Sequence, residues 1–176
     1  AMPDDQVEAL HHWLHVTPDG VTTADMAQSL VQVDSYGGAI NTHSSTSTPV
    51  PQRSSLLKLQ FQTYWNNSSP VGGGDSGRYG AQQQAHLNWI RGMYADTYAA
   101  SGGVPDPERD PNGIVDGCYY NYPDSDLGTH ADGRIDQALS LYFQGNFRTN
   151  SRNLVSVKKR WDPTNVFHHA QSIPTA

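Results

Sequence analysis

Polar and apolar positions alternate most cleanly over Ser54–Trp65, which reads SSLLKLQFQTYW. Leu57, Leu59, Phe61 and Thr63 fall on one face, and Lys58, Gln60, Gln62 and Tyr64 on the other. That pattern predicts a strand in an antiparallel sheet with one face covered. Ser29–Tyr36 alternates in the same way, Leu30, Gln32, Asp34 and Tyr36 against Val31, Val33 and Ser35, and Gly37-Gly38 closes it. Elsewhere the period is helical. Val7, Leu10 and Leu14 share a face in a first helix that Asp4 or Asp5 can cap. Gln82–Ala99 carries Leu87, Ile90, Tyr94 and Thr97 or Tyr98 on one stripe and is stopped by Gly102-Gly103. A third helix is predicted near Ile135–Phe143. A fourth, Ser151–Trp161, has Leu154, Val157 and Trp161 along one side and halts at Asp162-Pro163. Thr17–Gly20, Thr42–Gln52, the glycine-rich Asn66–Gly80 and Gly103–Gly117 read as turns and loops. The sum is an α+β fold.

Cys118–Asp126, C-Y-Y-N-Y-P-D-S-D, concentrates candidate chemistry. If Cys118–Tyr122 is extended, Tyr119 and Asn121 share one face while Tyr120 and Tyr122 point to the other. Pro123 cannot donate to a ladder, so the strand ends there. A phenol beside an amide offers a proton acceptor and an anchor for a polar ring. The same residues also suit an aromatic strand packed in a core. Tyr36, on the polar face with Gln32 and Asp34, is open to the same two readings: cleft or core. Gln60 and Gln62 line either a polar pocket or a solvated face.

Composition narrows the classes. In 176 residues, 17 Asp+Glu outweigh 11 Lys+Arg for a net charge of −6, and no basic stripe is interleaved with aromatics, so nucleic acid is not expected as a partner. Lys158, Lys159 and Arg160 read as a solvated helix face. Cys118 is the single cysteine, which excludes an internal disulfide. No apolar run approaches 18 residues, so no membrane helix is expected. His11 and His15 have i, i+4 spacing, but Trp13 and Leu14 lie between them with no Glu, and no metal is expected. No G-x-S-x-G or P-loop spacing occurs. Sequons begin at Asn66 and Asn67.

Several ordered motifs resemble the C-terminal part of FAD-linked oxidases of the berberine-bridge-enzyme type, within the vanillyl-alcohol oxidase superfamily. Tyr119-Tyr-Asn-Tyr-Pro-Asp-Ser-Asp-Leu127 looks like that family's Y-x-N-Y-x-D-x-D-L. Val157-Lys158, Asp162-Pro-Thr-Asn-Val-Phe167 and Gln171-Ser-Ile173 look like its closing segment. Pro49-Val-Pro-Gln-Arg53, leading into Leu59-Gln-Phe61 and Trp65, resembles its P-x-P-x-R hairpin region. Asp34-Ser-Tyr-Gly-Gly-Ala-Ile-Asn41 is similar to members of the aclacinomycin oxidoreductase and glycopeptide hexose oxidase type. One departure stands out: Gln144 occupies the glycine position of the family's Tyr-Phe-Gly-x-Asn-Phe.

The resemblance implies the α+β substrate domain of the vanillyl-alcohol oxidase fold over residues 1–118. Residues 119–176 would be a helical segment returning to a FAD-binding domain. It implies a FAD-dependent oxidoreductase that moves a hydride from an alcohol, on a sugar or glycosylated natural product, to flavin. Tyr119 would match the tyrosine that deprotonates the hydroxyl, Tyr36 a second active-site tyrosine, and Asn121 the asparagine against the flavin. Gln60 would match a pocket position, with Gln62 beside it. A phenol with a pKa near about 10 is a weak base at neutral pH, so such a tyrosine needs a hydrogen-bond donor nearby. The expected partners are a small-molecule substrate and an N-terminal FAD-binding part carrying the flavin-attachment residues. The chain is therefore expected to be a fragment. The competing readings are a non-catalytic carbohydrate-binding module and an inactive family member.

Overall fold

The computed structural model describes residues 2–65 and 80–176. The glycine-rich stretch and both sequons fall at 66–79, outside the described residues. The chain divides into two compact units, each made of two segments: residues 1–35 with 57–104, and residues 36–56 with 105–176.

The first unit holds α1 (Asp4–His15), β1 (Leu30–Ser35), β2 (Leu57–Gln62) and α2 (Ala81–Thr97). The two strands pair antiparallel, with Val31 opposite Phe61, Val33 opposite Leu59 and Gln32 opposite Gln60. This register gathers the apolar set on one face and Gln32, Asp34, Lys58, Gln60 and Gln62 on the other, as the alternation predicts. Phe61 packs edge-on against Tyr94 and Tyr98 of α2, at ring-centroid distances of 5.1 and 6.1 Å. Cover is partial, because Val33 and Leu57 on the same face are exposed.

Both helices of this unit bury a stripe that differs from the one their spacing suggests, sharing only Thr97 with it on α2. On α1, Val7 and Leu14 are exposed and Gln6 is buried. Trp13 makes the contact with α2 instead: a Cβ on Gly92 would lie 2.4 Å from its indole. Trp89 Nε1 donates to Trp13 O at 2.8 Å, and Trp13 Nε1 to Asp96 at 2.7 Å. Glycine in a helix interior costs about 1 kcal/mol against alanine, and here it makes the notch that seats the ring. On α2 the deepest stripe is His86, Trp89, Met93 and Thr97. Tyr94 and Tyr98, turned toward Phe61, are only half-buried. Nor is α1 capped by aspartate. Pro3 precedes it with no capping side chain, and Asp4 and Asp5 sit inside the first turn, where a negative charge favours the N-terminal dipole. Gly103 N–H closes α2 by donating to Tyr98 O.

The second unit contains α3 (Ile135–Phe143), α4 (Gly145–Arg148) and α5 (Leu154–Trp161). Its core is Leu127, Ala138, Leu139, Leu141, Tyr142 and Phe147. Asn153 caps α5 by accepting from Ser156 N–H at 2.9 Å. The expected apolar side of α5 is outward in this chain: Val157 is exposed and Trp161 is 75% exposed. Lys158 departs from the solvated face proposed for its run. It pairs with the buried Asp162 at 2.5 Å and also donates to Phe167 O. The Asp162 carboxylate in turn accepts from the N–H groups of Val166 and Phe167. With Lys158 as the largest cause, these bonds hold its pKa below the ordinary carboxylate value. The Val-Lys and Asp-Pro-x-Asn motifs therefore form one staple across the end of the helix.

Candidate active site

Cys118–Tyr122 is not a strand. Cys118 N–H donates to Leu141 O at the end of α3, and the chain then turns, with Tyr122 N–H donating to Tyr119 O at 3.1 Å. The bond falls within the segment, and Pro123 follows without a donor, so no ladder continues. The expected sharing of a face between Tyr119 and Asn121 is met another way, because Asn121 Nδ2 donates to Tyr119 Oη at 2.7 Å. Tyr120 and Tyr122, assigned to the opposite face in an extended reading, also contact Tyr119, at 5.6 and 5.3 Å between ring centroids.

Tyr36 belongs to the same unit. Its N–H donates to Leu56 O at 2.8 Å. Its ring meets Tyr119 edge-on, 6.5 Å between centroids and 63° between planes. Both rings are half-buried, while Asn121, Tyr120 and Tyr122 are exposed. The structure thus brings together three of the five residues singled out from the sequence: Tyr36, Tyr119 and Asn121. Gln60 and Gln62 lie on the polar face of the hairpin in the other unit. Gln62 accepts from Tyr64 Oη at 2.5 Å and donates to Gln32 at 3.2 Å; Gln32 donates on to Asp34, which pairs with Lys58 at 3.3 Å. This ladder alternates donors and acceptors along about one strand length.

A phenol acts as a base when its oxyanion receives hydrogen bonds, and Asn121 Nδ2 supplies one to Tyr119. Tyr142 has no such use. Burial is the main cause that pushes its phenol up to about 12, and its oxygen already accepts from Asp124 N–H at 2.8 Å. Tyr142 fixes the far end of the tyrosine turn and stays protonated.

Gln52, Gln144 and Gln171 were not expected from the sequence, and each ties this region to its surroundings. Gln52 Nε2 donates to Cys118 O and Tyr142 O. Gln144 donates to Asp116 O. Gln171 donates to Asp124 O and Gly128 O, both at 2.7 Å. Gln52 and Gln171 stand inside the Pro49–Arg53 and Gln171–Ile173 motifs, so their positions were visible in the sequence, but their partners were not. Among the described residues no group of three His, Cys, Asp or Glu side chains could hold a metal ion, and no helix is long and apolar enough to cross a membrane.

Residues 118–174, which include the tyrosine turn and its Gln171 tie, match the family described as "Berberine and berberine like". Over 98% of its length the chain is 40% identical to a hexose oxidase of Chondrus crispus. The chain belongs to the berberine-bridge-enzyme-like family. It is also 35% identical, over 81% of its length, to the aclacinomycin-N/aclacinomycin-A oxidase of Streptomyces galilaeus. Among solved structures, a glycopeptide hexose oxidase complexed with teicoplanin aligns over 98% of this chain with a TM-score of 0.73 at 36% identity. An aclacinomycin oxidoreductase aligns with 0.71 at 30% identity. The expected α+β class therefore holds, and it is that of these oxidases. The chain spans 29% and 23% of the two named relatives' lengths, and 30% of either solved chain. The family segment opens at Cys118, where the backbone leaves the Leu141 contact and enters the tyrosine turn.

Proposed function

We propose that this chain supplies the tyrosine site and part of the substrate surface of a FAD-dependent oxidoreductase acting on the hydroxyl of a sugar or a glycosylated natural product. The observation that carries the reading is the Tyr119 cluster: a half-buried phenol whose oxygen receives the Asn121 amide, with the Tyr36 ring edge-on beside it. Tyr119 takes the hydroxyl proton as the carbonyl forms. Asn121 and Tyr36 orient its phenol. Gln60 and Gln62 belong to a polar face suited to a polyhydroxylated substrate. Residues 1–118 serve the substrate side, and 119–176 lead back to a FAD-binding part.

The chemistry of the residues fits a flavin. Asn121 is exposed, and with its amide nitrogen committed to Tyr119 its carbonyl oxygen is the end suited to a ring N–H. FAD, when bound, supplies the acceptor for the hydride. Two named relatives, a hexose oxidase and an aclacinomycin oxidase, support the substrate class.

The test is Tyr119→Phe in the full-length flavoprotein. Loss of the proton acceptor lowers the rate of flavin reduction by about 100-fold or more, in the range general base catalysis contributes, with substrate affinity little changed. An unchanged reduction rate would remove Tyr119 from the reaction. A full-length protein that binds sugar but shows no flavin spectrum would favour the carbohydrate-binding module.

A further inference from the structure

Tyr119 sits on a turn, and a turn by itself does not hold a phenol to a fraction of an ångström. Cys118, one peptide bond before it, is gripped at both of its backbone groups. Its N–H donates to Leu141 O at 2.9 Å, and its C=O accepts from Gln52 Nε2 at 3.1 Å. The same Nε2 donates to Tyr142 O at 3.2 Å, so one side chain clasps the chain entering the turn to the end of α3. Gly117 leaves no slack. Its φ is +89°, and a Cβ there would stand 2.5 Å from Leu141 O and 3.2 Å from Gln52 Nε2.

Two details separate this amide from ordinary packing. Both of its acceptors are carbonyl oxygens, so only the nitrogen end can face them and the orientation is determined. Gln52 is only 5% exposed, yet its Oε1 has no partner among the described residues. A buried acceptor left unsatisfied is unfavourable and calls for a reason. Gln52 also lies in the segment Tyr36–Leu56 that joins β1 to β2, so the ring beside Tyr119 and the clasp behind it share one segment.

We propose that Gln52 is a positioning residue for Tyr119, acting through Cys118 O. The proposal rests on the reading of Tyr119 as proton acceptor. Gln52→Met in the full-length flavoprotein keeps much of the side-chain volume and removes both hydrogen bonds. The limiting rate of flavin reduction should fall about 100-fold, the loss that a displacement near 1 Å can cause, with substrate Kd within about two-fold. Hydrogen exchange of the 118–122 amides should quicken. In a Tyr119→Phe background Gln52→Met should cause no further loss, because its effect passes through the phenol. An unchanged reduction rate, a loss additive with Tyr119→Phe, or unchanged exchange at 118–122 each overturns the proposal. If Gln52→Met yields no folded flavoprotein, Gln52→Asn takes its place with the same expectations; it keeps the amide and shortens its reach. Should Tyr119→Phe itself leave reduction unchanged, the proton-acceptor reading fails, and exchange at 118–122 decides whether Gln52 still holds the turn.

Discussion

Residues 1–35 and 57–104 are held by interlocked rings, whereas residues 36–56 and 105–176 are held by side-chain amides reaching backbone carbonyls. In the first unit Trp13 lies in the Gly92 notch, and Phe61 meets Tyr94 and Tyr98. In the second, Asn146 reaches the carbonyls of Ser45, Thr48 and Pro49, Gln52 those of Cys118 and Tyr142, and Gln171 those of Asp124 and Gly128. Rings secure elements through buried area, which tolerates small slips. An amide fixes individual carbonyls within the narrow limits of a hydrogen bond. The unit that carries the tyrosine cluster is the one whose loops are pinned atom by atom.

The largest expected effect comes from removing a pin. Gln171→Met leaves the buried Gly128 carbonyl without a donor, which costs roughly 1–3 kcal/mol, and takes one of two donors from Asp124 O, which keeps the Leu127 N–H and loses about 1 kcal/mol. Native-state hydrogen exchange should show about 2–4 kcal/mol less protection in residues 124–147, with little change in α2. Equal loss in both units would mean that the amide pins do not act locally. Gly92→Ala tests the ring-built unit. The overlap with Trp13 costs roughly 1–3 kcal/mol, more than the roughly 1 kcal/mol that alanine returns in helix propensity. A thermal shift should therefore be downward, and Trp13→Leu in the same chain should relieve it. A more stable Gly92→Ala alone would show that the indole is not seated there.

Between pH 7 and 5 titration separates the units in another way, because the amides do not titrate and Asp162, held below the ordinary carboxylate value, stays charged there. His86 is fully buried, its Nδ1 within 2.7 Å of Thr63 Oγ1, and desolvation is the main cause lowering its pKa from the ordinary value. A base depressed in the folded state binds fewer protons than it does unfolded. Its contribution is thus present above the unfolded pKa of about 6.5 and is lost as pH falls below that toward the folded value. Exchange protection of α2 should weaken between pH 7 and 5. His86→Met should flatten that dependence. A pH dependence left intact in His86→Met would assign it to another group.

This contrast also explains what the sequence could convey. Alternation over Leu57–Gln62 and Leu30–Ser35 carried the hairpin and its polar face, since a period of two follows directly from the pleat. The helix expected near Ile135–Phe143 is α3. Spacing did not carry the choice of buried stripe on α1 and α2, because that depends on a notch at Gly92 with no apolar signature. Tyr119 and Asn121 were legible as a pair, but as members of a strand. Their turn is set by Cys118, Leu141 and Gln52, which lie far apart in the chain, and no local period encodes a carbonyl's distant donor. The motifs around Gln52 and Gln171 marked the right residues without indicating what they hold.

The smallest expected effect concerns Gln144, where the chain departs from the glycine of the family's Tyr-Phe-Gly-x-Asn-Phe pattern. It joins α3 to α4 with φ +48° and ψ −135°, a region that glycine enters freely and side-chain-bearing residues rarely adopt. Such a conformation costs on the order of 1–3 kcal/mol. Its amide offsets part of this by donating to Asp116 O at 3.1 Å, a bond whose net contribution is about 1 kcal/mol. The two contributions can be separated, because Gln144→Gly and Gln144→Ala both lose the bond and only glycine relieves the backbone. Glycine's greater freedom when unfolded subtracts roughly 0.5–1 kcal/mol. Gln144→Gly should therefore be the more stable of the pair by about 1 kcal/mol, the reverse of the order at an ordinary helical position, and it should unfold close to the parent. If Gln144→Ala is instead more stable than Gln144→Gly by roughly 0.5–1 kcal/mol, the junction carries no strain, and the Asp116 bond alone explains a glutamine at this position, one more amide reaching a carbonyl in the unit already pinned that way.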